Sequence, residues 1–333
     1  MAETRYRGRR ATSIENEFVR VTVLDEGGHI AEILDKQSGV NPLWTPPWGS
    51  IEPSTYDPRK HPEYGADAES KLLSGIMGHN LCMDIFGGPS AEEAAAGLTV
   101  HGEASVAKWF VTAGNTGLTQ EARLPQAQLR VVRSIDLDHR TVNVIETVEN
   151  ESATDRPIAW TEHVTFGPPF LEKGATEFRA PVTKSLVLEE GNGDLERYTD
   201  APVSGGFSTH LIDPARGWAF FVAWSPGSQV ALGYVWRRAD FPWLGVWEEN
   251  HSRSGAPWNG RTLTRGMEFG ASPVAETRRQ MIERGSLFGV PAFRWIPARA
   301  RVEVRYFAAI HGGLRSCPAE LRRTAGGEVR FVD

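Results

Sequence analysis

The chain has 333 residues, of which 40% are hydrophobic, and it carries a formal net charge of −6. This apolar fraction is enough for a packed core and excludes a disordered chain, while mild acidity without a long basic stripe argues against a nucleic-acid-binding protein. No run of about 18 apolar residues is present, and the charged first ten residues lack the apolar region of a secretory signal peptide. We therefore expect a soluble, cytoplasmic protein with no membrane partner. The two cysteines, Cys82 and Cys317, are far apart in the sequence and agree with a reducing compartment.

Short strand-like runs, many of them closed by turn residues, recur from one end of the chain to the other. Helical periodicity is weak and is confined to two short segments, residues 91–96 and 276–283. Many strands, few helices and frequent turns predict an all-β fold, a large antiparallel β-sandwich, and we interpret residues 1–333 as one domain. The predicted strands are residues 18–24, 30–34, 128–137, 141–149, 218–224, 230–236, 244–248 and 302–309.

Residues 41–73 interrupt this pattern with an irregular segment that is rich in proline, tryptophan, tyrosine and charge. An irregular segment of this length inside a compact fold is usually functional or ordered by packing. We interpret it as an insert or lid.

Tryptophan is abundant, with 11 residues. A buried indole needs a partner for its N–H group, so a core seldom contains so many. The alternative to core packing is a sugar-binding cleft, in which the flat aromatic face stacks on the apolar face of a pyranose. The tryptophans considered for such a contact are Trp44, Trp48, Trp109, Trp160, Trp247 and Trp258.

The segment TRGMEFGASP at residues 264–273 places a single carboxylate, Glu268, between Met267 and Phe269. On a strand, these two neighbours face away from Glu268. Apolar surroundings favour the neutral form of a carboxyl group, which enables such a group to take up a proton near neutral pH. We interpret Glu268 as a catalytic base. The alternative is an ordinary glutamate on the solvent face of a half-buried strand.

Two histidines are the predicted acid partners of this base. His101 follows apolar residues and precedes Gly102, which permits close approach of a ligand to the backbone. His163 lies in an alternating stretch that places it on one face with Thr161 and Thr165. Taken alone, each histidine could equally be a hydrogen-bonded structural residue.

Weaker substrate-binding predictions come from two polar, turn-like segments. Residues 78–84 could bind sugar hydroxyls or cap turns, and residues 258–261 could stack on a sugar or form a tight turn. Residues 248–251 have poor geometry for a metal because neighbouring strand residues face opposite ways. No cofactor motif is present in the sequence, and we predict neither a metal nor a cofactor. The predicted substrate-binding residues are His79, Asn80, Asp84, Trp258, Asn259 and Arg261.

The motifs around His101, His163 and Glu268 follow one another along the chain in the order His, His, Glu. In this order they resemble the galactose mutarotase-like superfamily, which contains the aldose 1-epimerases. Residues 14–23, the glycine pair at 27–28 and residues 35–39 are similar to the first hairpins of that family. His101 resembles its first histidine motif, His163 its second, and Glu268, five residues before Pro273, its late catalytic glutamate. The resemblance extends over nearly the whole chain.

The resemblance implies that the protein interconverts the anomers of an aldose by ring opening, without a metal or organic cofactor. Glu268 would take the proton of the C1 hydroxyl, and His163 would protonate the ring oxygen. His101 would hydrogen-bond the developing charge and orient the sugar.

The family's arginine before the first histidine motif and its hydroxyl-binding aspartate have no match here, which favours a small-molecule sugar or derivative other than galactose. Two alternatives remain open at this point. One is a carbohydrate-binding protein without catalysis. The other is a lyase or isomerase of sugar derivatives that uses His79, His101 and Glu103, with or without a metal. The sequence makes no prediction about the oligomeric state.

Overall fold

A computed structural model describes residues 4–114, 117–188, 194–198 and 204–333 of the chain. β-Strands dominate these ranges. In chain order the strands are β1 (Thr4–Tyr6), β2 (Arg9–Glu15), β3 (Val19–Leu24), β4 (Ile30–Asp35), β5 (His79–Asp84), β6 (Phe110–Ala113), β7 (Gly117–Leu124), β8 (Leu129–Asp138), β9 (Thr141–Asn150), β10 (Arg156–Phe166), β11 (Glu177–Arg179), β12 (Val182–Leu188), β13 (Ser204–Ile212), β14 (Trp218–Ser225), β15 (Val230–Arg237), β16 (Trp243–Asn250), β17 (Leu263–Gly270), β18 (Ser286–Leu287), β19 (Val290–Pro291), β20 (Arg294–Ile296), β21 (Arg301–His311), β22 (Glu320–Arg323) and β23 (Val329–Val332). The α-helices are α1 (Ser70–Leu73), α2 (Ala91–Ala95) and α3 (Arg278–Arg284).

Two antiparallel sheets form the body of the described structure. The larger sheet has 11 strands in the order β1-β2-β3-β4-β5-β10-β17-β16-β13-β12, with β20 paired to β10. The second sheet has eight strands in the order β11-β14-β15-β21-β9-β8-β7-β6. Two small hairpins, β18-β19 and β22-β23, lie outside these sheets. This arrangement confirms the predicted all-β antiparallel sandwich.

The main core lies between the two sheets and is built from the inward residues of both. Trp236 of β15 stacks on Phe269 of β17 with ring centroids 4.3 Å apart, and Tyr234 lies 5.7 Å from the same ring. Met267 and Phe269 are fully buried in this cluster. Since successive strand residues face opposite ways, Glu268 between them faces the other side of the larger sheet.

Each of the eight predicted strands is present, with bounds shifted by one or two residues at most. The two predicted helices are also present as α2 and α3. Helix α3 begins two residues later than predicted because Thr277 is its N-cap: the Thr277 hydroxyl accepts from the backbone N–H of Gln280. It ends at Gly285, which has φ of 64°.

Residues 41–73 form an ordered wall beside the larger sheet. The fully buried Arg9 of β2 ties this segment to the sheet, because its guanidinium donates to the Glu52 carboxylate (3.0 Å) and to the Ser50 hydroxyl (3.2 Å). The same guanidinium donates to the carbonyl oxygen of Gly75 (2.6 Å), just after the segment. The indole of Trp48 adds a hydrogen bond to the carbonyl of Leu73 at 2.9 Å. In the described ranges, no helix combines the length and apolar character that crossing a membrane requires.

Candidate active site

A cavity of about 360 Å³ opens on the face of the larger sheet that points away from the main core. Two central strands, β10 and β17, supply its floor, and β5 pairs with β10 beside them. Their register places Asn80, His163 and Glu268 in one row across the sheet. His163 and Glu268 line the cavity, as does Thr165 two residues further along β10. The alternation predicted for residues 161–165 is thus confirmed, and it sends Glu162 and Val164 into the core.

His163 and Glu268 form a hydrogen-bonded pair at this floor. His163 Nε2 lies 3.0 Å from Glu268 Oε1, and the two side chains are 7% and 2% exposed. His163 Nδ1 lies 2.9 Å from Thr165 Oγ1, which fixes the plane of the ring from the other side. Directly opposed residues of an antiparallel pair share a face, so the backbone pairing alone brings these groups together. A carboxylate beside an imidazole is an arrangement suited to general acid and base catalysis.

His101 is the third polar group of the floor, and its ring centroid lies 5.0 Å from that of His163. Its Nδ1 lies 2.6 Å from the carbonyl oxygen of Phe86. Because a carbonyl oxygen only accepts hydrogen bonds, Nδ1 carries the proton and Nε2 is an acceptor. Burial, and then repulsion by His163, lower the pKa of His101 to about 3, so this ring is neutral near pH 7.

The backbone of His101 is held in an unusual conformation, with φ of 68°. Its N–H donates to the carbonyl of Gly87, and its own carbonyl accepts from the N–H of Met83. Left-handed backbone at a residue other than glycine costs free energy, and the surrounding bonds must maintain it. The neighbouring Gly102 packs against the Met83 carbonyl so closely that an added Cβ would lie 2.2 Å from that oxygen.

One side of the cavity is a wall of indole and aliphatic side chains. Trp44 and Trp258 are parallel, with ring centroids 6.2 Å apart, and Trp48 meets both edge-on from behind. Trp247 lies 6.0 Å from Trp258 and reaches toward the opposite side. We call this side the tryptophan wall; its cavity-lining members are Trp44, Leu72, Leu73, Ile76, Val100 and Trp258.

The opposite side is formed by Phe86, Leu188 and Phe207, which belong to a separate apolar cluster. We call it the phenylalanine wall. Gly87 continues it, and the N–H of Gly87 donates to the carbonyl of Glu276 while its carbonyl accepts from the N–H of His101. An added Cβ at Gly87 would lie 2.5 Å from the backbone of Ala275, so this part of the wall is tightly packed.

A charged pair, Arg253 and Glu69, lies where the cavity meets solvent. Arg253 Nη1 is 3.6 Å from Glu69 Oε1, and Arg253 Nε is 3.5 Å from Glu249 Oε2. The guanidinium also covers the rings of Trp258 (4.8 Å) and Trp247 (5.5 Å). Burial raises the pKa of Glu69, and the nearby Arg253 opposes that shift.

Three predicted substrate-binding residues of β5 lie outside the cavity lining, because the whole strand is buried. His79 points into the core, where its Nε2 donates to Glu162 at 2.9 Å. Asn80 neighbours His163 in the sheet, but its amide donates to Ser105 at 3.2 Å. Asp84 accepts two 2.6 Å hydrogen bonds from Arg278. These polar groups have structural partners instead of access to the cavity.

The second predicted segment, residues 258–261, divides in the same way. Trp258 lines the cavity, whereas Asn259 and Arg261 lie in an exposed turn. Of the other tryptophans, Trp109 and Trp160 are fully buried in the core between the sheets.

Beneath the floor, the core contains a cluster of fully buried charged groups. Arg133 donates to Glu146 at 2.6 Å, and the Tyr306 hydroxyl donates to Glu162 at 3.1 Å. The indole N–H of Trp160 lies within 3.2 Å of both carboxylates. Burial, and then the charge of Glu162, raise the pKa of Glu146 to about 7. Since Glu162 and His163 are adjacent on β10, this cluster lies directly behind the pair of His163 and Glu268.

Sequence reasoning missed Thr165, Arg253 and Glu69 as site residues. Thr165 shares the face of His163 at spacing i+2, which is a signal that could have identified it. Arg253 and Glu69 belong to two irregular segments that are far apart in the sequence, so the spacing of residues carries no signal for them. Within the described residues, no group of three or more His, Cys, Asp or Glu side chains is arranged to hold a metal ion.

The sequence profile of the family described as "Domain of unknown function (DUF4432)" matches residues 8–258. The chain belongs to this family. No curated protein matches the chain in sequence.

Solved structures with the same fold include sugar-epimerase relatives. One is a candidate aldose 1-epimerase from Klebsiella pneumoniae, with TM-score 0.71 and 13% identity over 92% of this chain and 80% of that protein. Another is a candidate aldose 1-epimerase from Escherichia coli K12, with TM-score 0.64 and 12% identity over 92% and 100%. A galactose mutarotase related enzyme from Lactobacillus acidophilus has TM-score 0.60 and 12% identity over 92% and 99%. This family member therefore has the galactose mutarotase-like fold, as the sequence motifs predicted.

Proposed function

We propose that this protein is an aldose 1-epimerase that interconverts sugar anomers by acid and base catalysed ring opening. The observation that carries the proposal is the contact of His163 and Glu268, 3.0 Å apart at the floor of a tryptophan-lined cavity. Fold likeness alone does not establish activity, because one scaffold hosts many functions. The pair is a chemical reason to assign a reaction to this cavity.

The spacing of the pair suits the two oxygens at which mutarotation occurs. In a pyranose, the C1 hydroxyl oxygen and the ring oxygen are both bonded to C1, so they are separated by one carbon atom. Glu268 takes the proton of the C1 hydroxyl while His163 protonates the ring oxygen, and the bond between C1 and the ring oxygen breaks. After rotation about the C1–C2 bond, the ring closes with the roles reversed. Each positioned acid or base contributes roughly 10²–10⁴-fold to the rate.

His101 has a more limited role in this proposal than the sequence implied. Its Nδ1 proton is directed to the Phe86 carbonyl, and the lowered pKa of His101 keeps the ring neutral. Nε2 therefore accepts a hydrogen bond from a sugar hydroxyl and orients the substrate. An acceptor does not stabilise developing negative charge, so we assign His101 a positioning role.

The test is anomer exchange measured by saturation-transfer NMR with a panel of aldoses, deoxy-aldoses and uronic acids. Wild type should accelerate exchange of at least one sugar. Glu268→Gln should lower that acceleration by at least about 100-fold, because the amide does not accept the proton, while sugar binding persists. An active Glu268→Gln variant would exclude Glu268 as the base.

A sugar that binds without faster exchange would instead indicate a carbohydrate-binding protein. The remaining alternative, a lyase or isomerase that uses His79, His101 and Glu103, has less support. His79 is occupied by Glu162 in the core, and the Glu103 carboxylate accepts from the N–H of Ala127 at 2.9 Å. These side chains have separate structural partners.

A further inference from the structure

We infer that the substrate is a 6-deoxyhexose rather than a fully hydroxylated hexose, with its methyl group against the phenylalanine wall. The inference rests on the proposed function, since it names the substrate class of the same cavity.

The polar groups of the described cavity lining are concentrated at its floor and its mouth. The floor provides His163, Glu268, the Nε2 acceptor of His101 and Thr165, whose Oγ1 is hydrogen-bonded to His163 Nδ1. In the proposed reaction, the first two are used by the C1 hydroxyl and the ring oxygen. His101 then serves the neighbouring hydroxyl. The rest of the sugar ring must find its partners elsewhere.

The two walls differ in what they offer to the rest of the ring. The tryptophan wall presents the large aromatic rings of Trp44 and Trp258, against which a sugar ring can pack. The phenylalanine wall has only carbon and hydrogen in the side chains of Phe86, Leu188 and Phe207. Its backbone at Gly87 already uses both its N–H and its carbonyl in hydrogen bonds. A hydroxyl placed against these three described side chains exchanges water for carbon, whereas a methyl group gains contacts.

The charged pair at the mouth argues against an anionic sugar. Arg253 interacts with the carboxylates of Glu69 and Glu249 and lies over two indole rings. Among the described residues that line the cavity, Arg253 is therefore already engaged by carboxylates of the protein. A carboxylate or phosphate on the substrate would have to compete with Glu69 and Glu249 for this guanidinium.

The experiment compares matched sugars that differ only at C6: D-galactose with D-fucose, L-mannose with L-rhamnose, and D-glucose with 6-deoxy-D-glucose. Exchange gives kcat/KM for wild type, and calorimetric titration of Glu268→Gln gives Kd for the same sugars. We expect the deoxy member of at least one pair to be favoured about 10-fold to 100-fold, the range of discrimination by an apolar pocket. The inference would be overturned if, in every pair, kcat/KM were equal for the two sugars or higher for the hydroxylated one. Faster exchange of hexuronates or hexose phosphates than of the 6-deoxy sugars would also overturn it.

Two variants locate the origin of the preference. Val274→Thr adds one hydroxyl to a lining residue next to Ala275, which packs against Gly87 of the phenylalanine wall. Val100→Thr makes the same change on the tryptophan wall and is the matched control. The ratio of kcat/KM for the 6-deoxy sugar to that for its hydroxylated partner should decrease severalfold in Val274→Thr and stay unchanged in Val100→Thr. The reverse pattern, or no change in either, would contradict the assignment to the phenylalanine wall.

The binding data separate this inference from the proposed function. Deoxy-selective binding without anomer exchange would refute catalysis and support the substrate class. Exchange without deoxy preference would support catalysis and refute the substrate class. If no sugar binds, both are refuted.

Discussion

Gly266→Ala tests the position of Glu268, the proposed base, without removing any group of the proposed reaction. Gly266 lies two residues before Glu268 on β17 and faces the same side of the sheet. An added Cβ would lie 2.6 Å from Glu268 Oε1 and 3.3 Å from His163 Cε1. The backbone of Gly266 does not have a positive φ, so alanine fits the strand conformation. The substitution therefore acts through the new methyl group alone.

The size of the displacement follows from these distances. Ordinary contact with a Cβ begins at 3.4 Å, whereas the added Cβ would lie 2.6 Å from Glu268 Oε1. Oε1 must therefore move away by about 0.8 Å. The oxygen is the end of a flexible side chain, and we expect the free energy of unfolding to change by less than about 1 kcal/mol. A misplacement of about 1 Å in a catalytic group costs roughly 10²-fold in rate. Gly266→Ala should therefore lose most of its catalytic rate while its free energy of unfolding stays nearly unchanged.

Anomer exchange and thermal unfolding should be measured for wild type, Gly266→Ala and Gly217→Ala. Gly217 is the control, because an added Cβ there meets nothing within 4 Å and it precedes β14 of the other sheet. We expect about 100-fold lower kcat only in Gly266→Ala. Full activity in that variant would show that the observed position of Glu268 does not limit the rate. A large loss of stability would instead mean that the strand, and not the carboxylate, had moved.

Three further predictions concern charge and stability. Because the pKa of Glu146 is about 7 in the folded protein against 4.5 for a free glutamate, the folded state binds more protons between these values. Its contribution to the free energy of unfolding, on the order of 3 kcal/mol, is present below about pH 4.5 and is lost as pH rises through 7; urea unfolding of Glu146→Gln should show a flatter pH dependence than wild type. The His101 ring should remain neutral down to about pH 4 in an NMR titration, whereas histidines of the urea-unfolded chain titrate near pH 6.5. Arg9→Met should lower the free energy of unfolding by about 3 kcal/mol and expose residues 46–77 to hydrogen exchange, whereas the partly exposed Arg10→Met should cost less than about 1 kcal/mol; equal effects would contradict the role of Arg9.

The fold was predictable because its strands carry strong local signals. The hairpin of β8 and β9, for example, is two alternating runs around a two-residue connection, residues 139–140, and the buried and outward positions of both strands follow the period of two. The same period correctly placed His163 and Thr165 opposite Glu162. His101 was predicted as a site residue, but neither its approach to His163 nor its backbone conformation followed from the sequence. A single domain and a cytoplasmic location stay predictions.

The parts of the site that sequence reasoning missed depend on which face of a buried strand meets the cavity. Residues His79–Asp84 contain an attractive polar set, but both faces of β5 are covered, so each group is satisfied internally. Sequence alternation identifies which residues share a face but not what covers that face. Arg253 and Glu69 meet only because two irregular segments approach each other across the cavity mouth, and such approaches have no local signal.

The position of His163 and Glu268, the proposed acid and base, is set by the core on the far side of the sheet. Met267 and Phe269 lock β17 from within, while Glu162 ties β10 to the buried cluster of Arg133 and Tyr306. With both strands fixed and paired in register, His163 and Glu268 have little freedom to separate. Sites on rigid strands hold their geometry better than sites on loops, and catalysis is sensitive to errors of about 1 Å. The buried charges behind the floor are costly to desolvate. Because these charges bind β10, which carries His163, they hold the acid of the proposed reaction against its base.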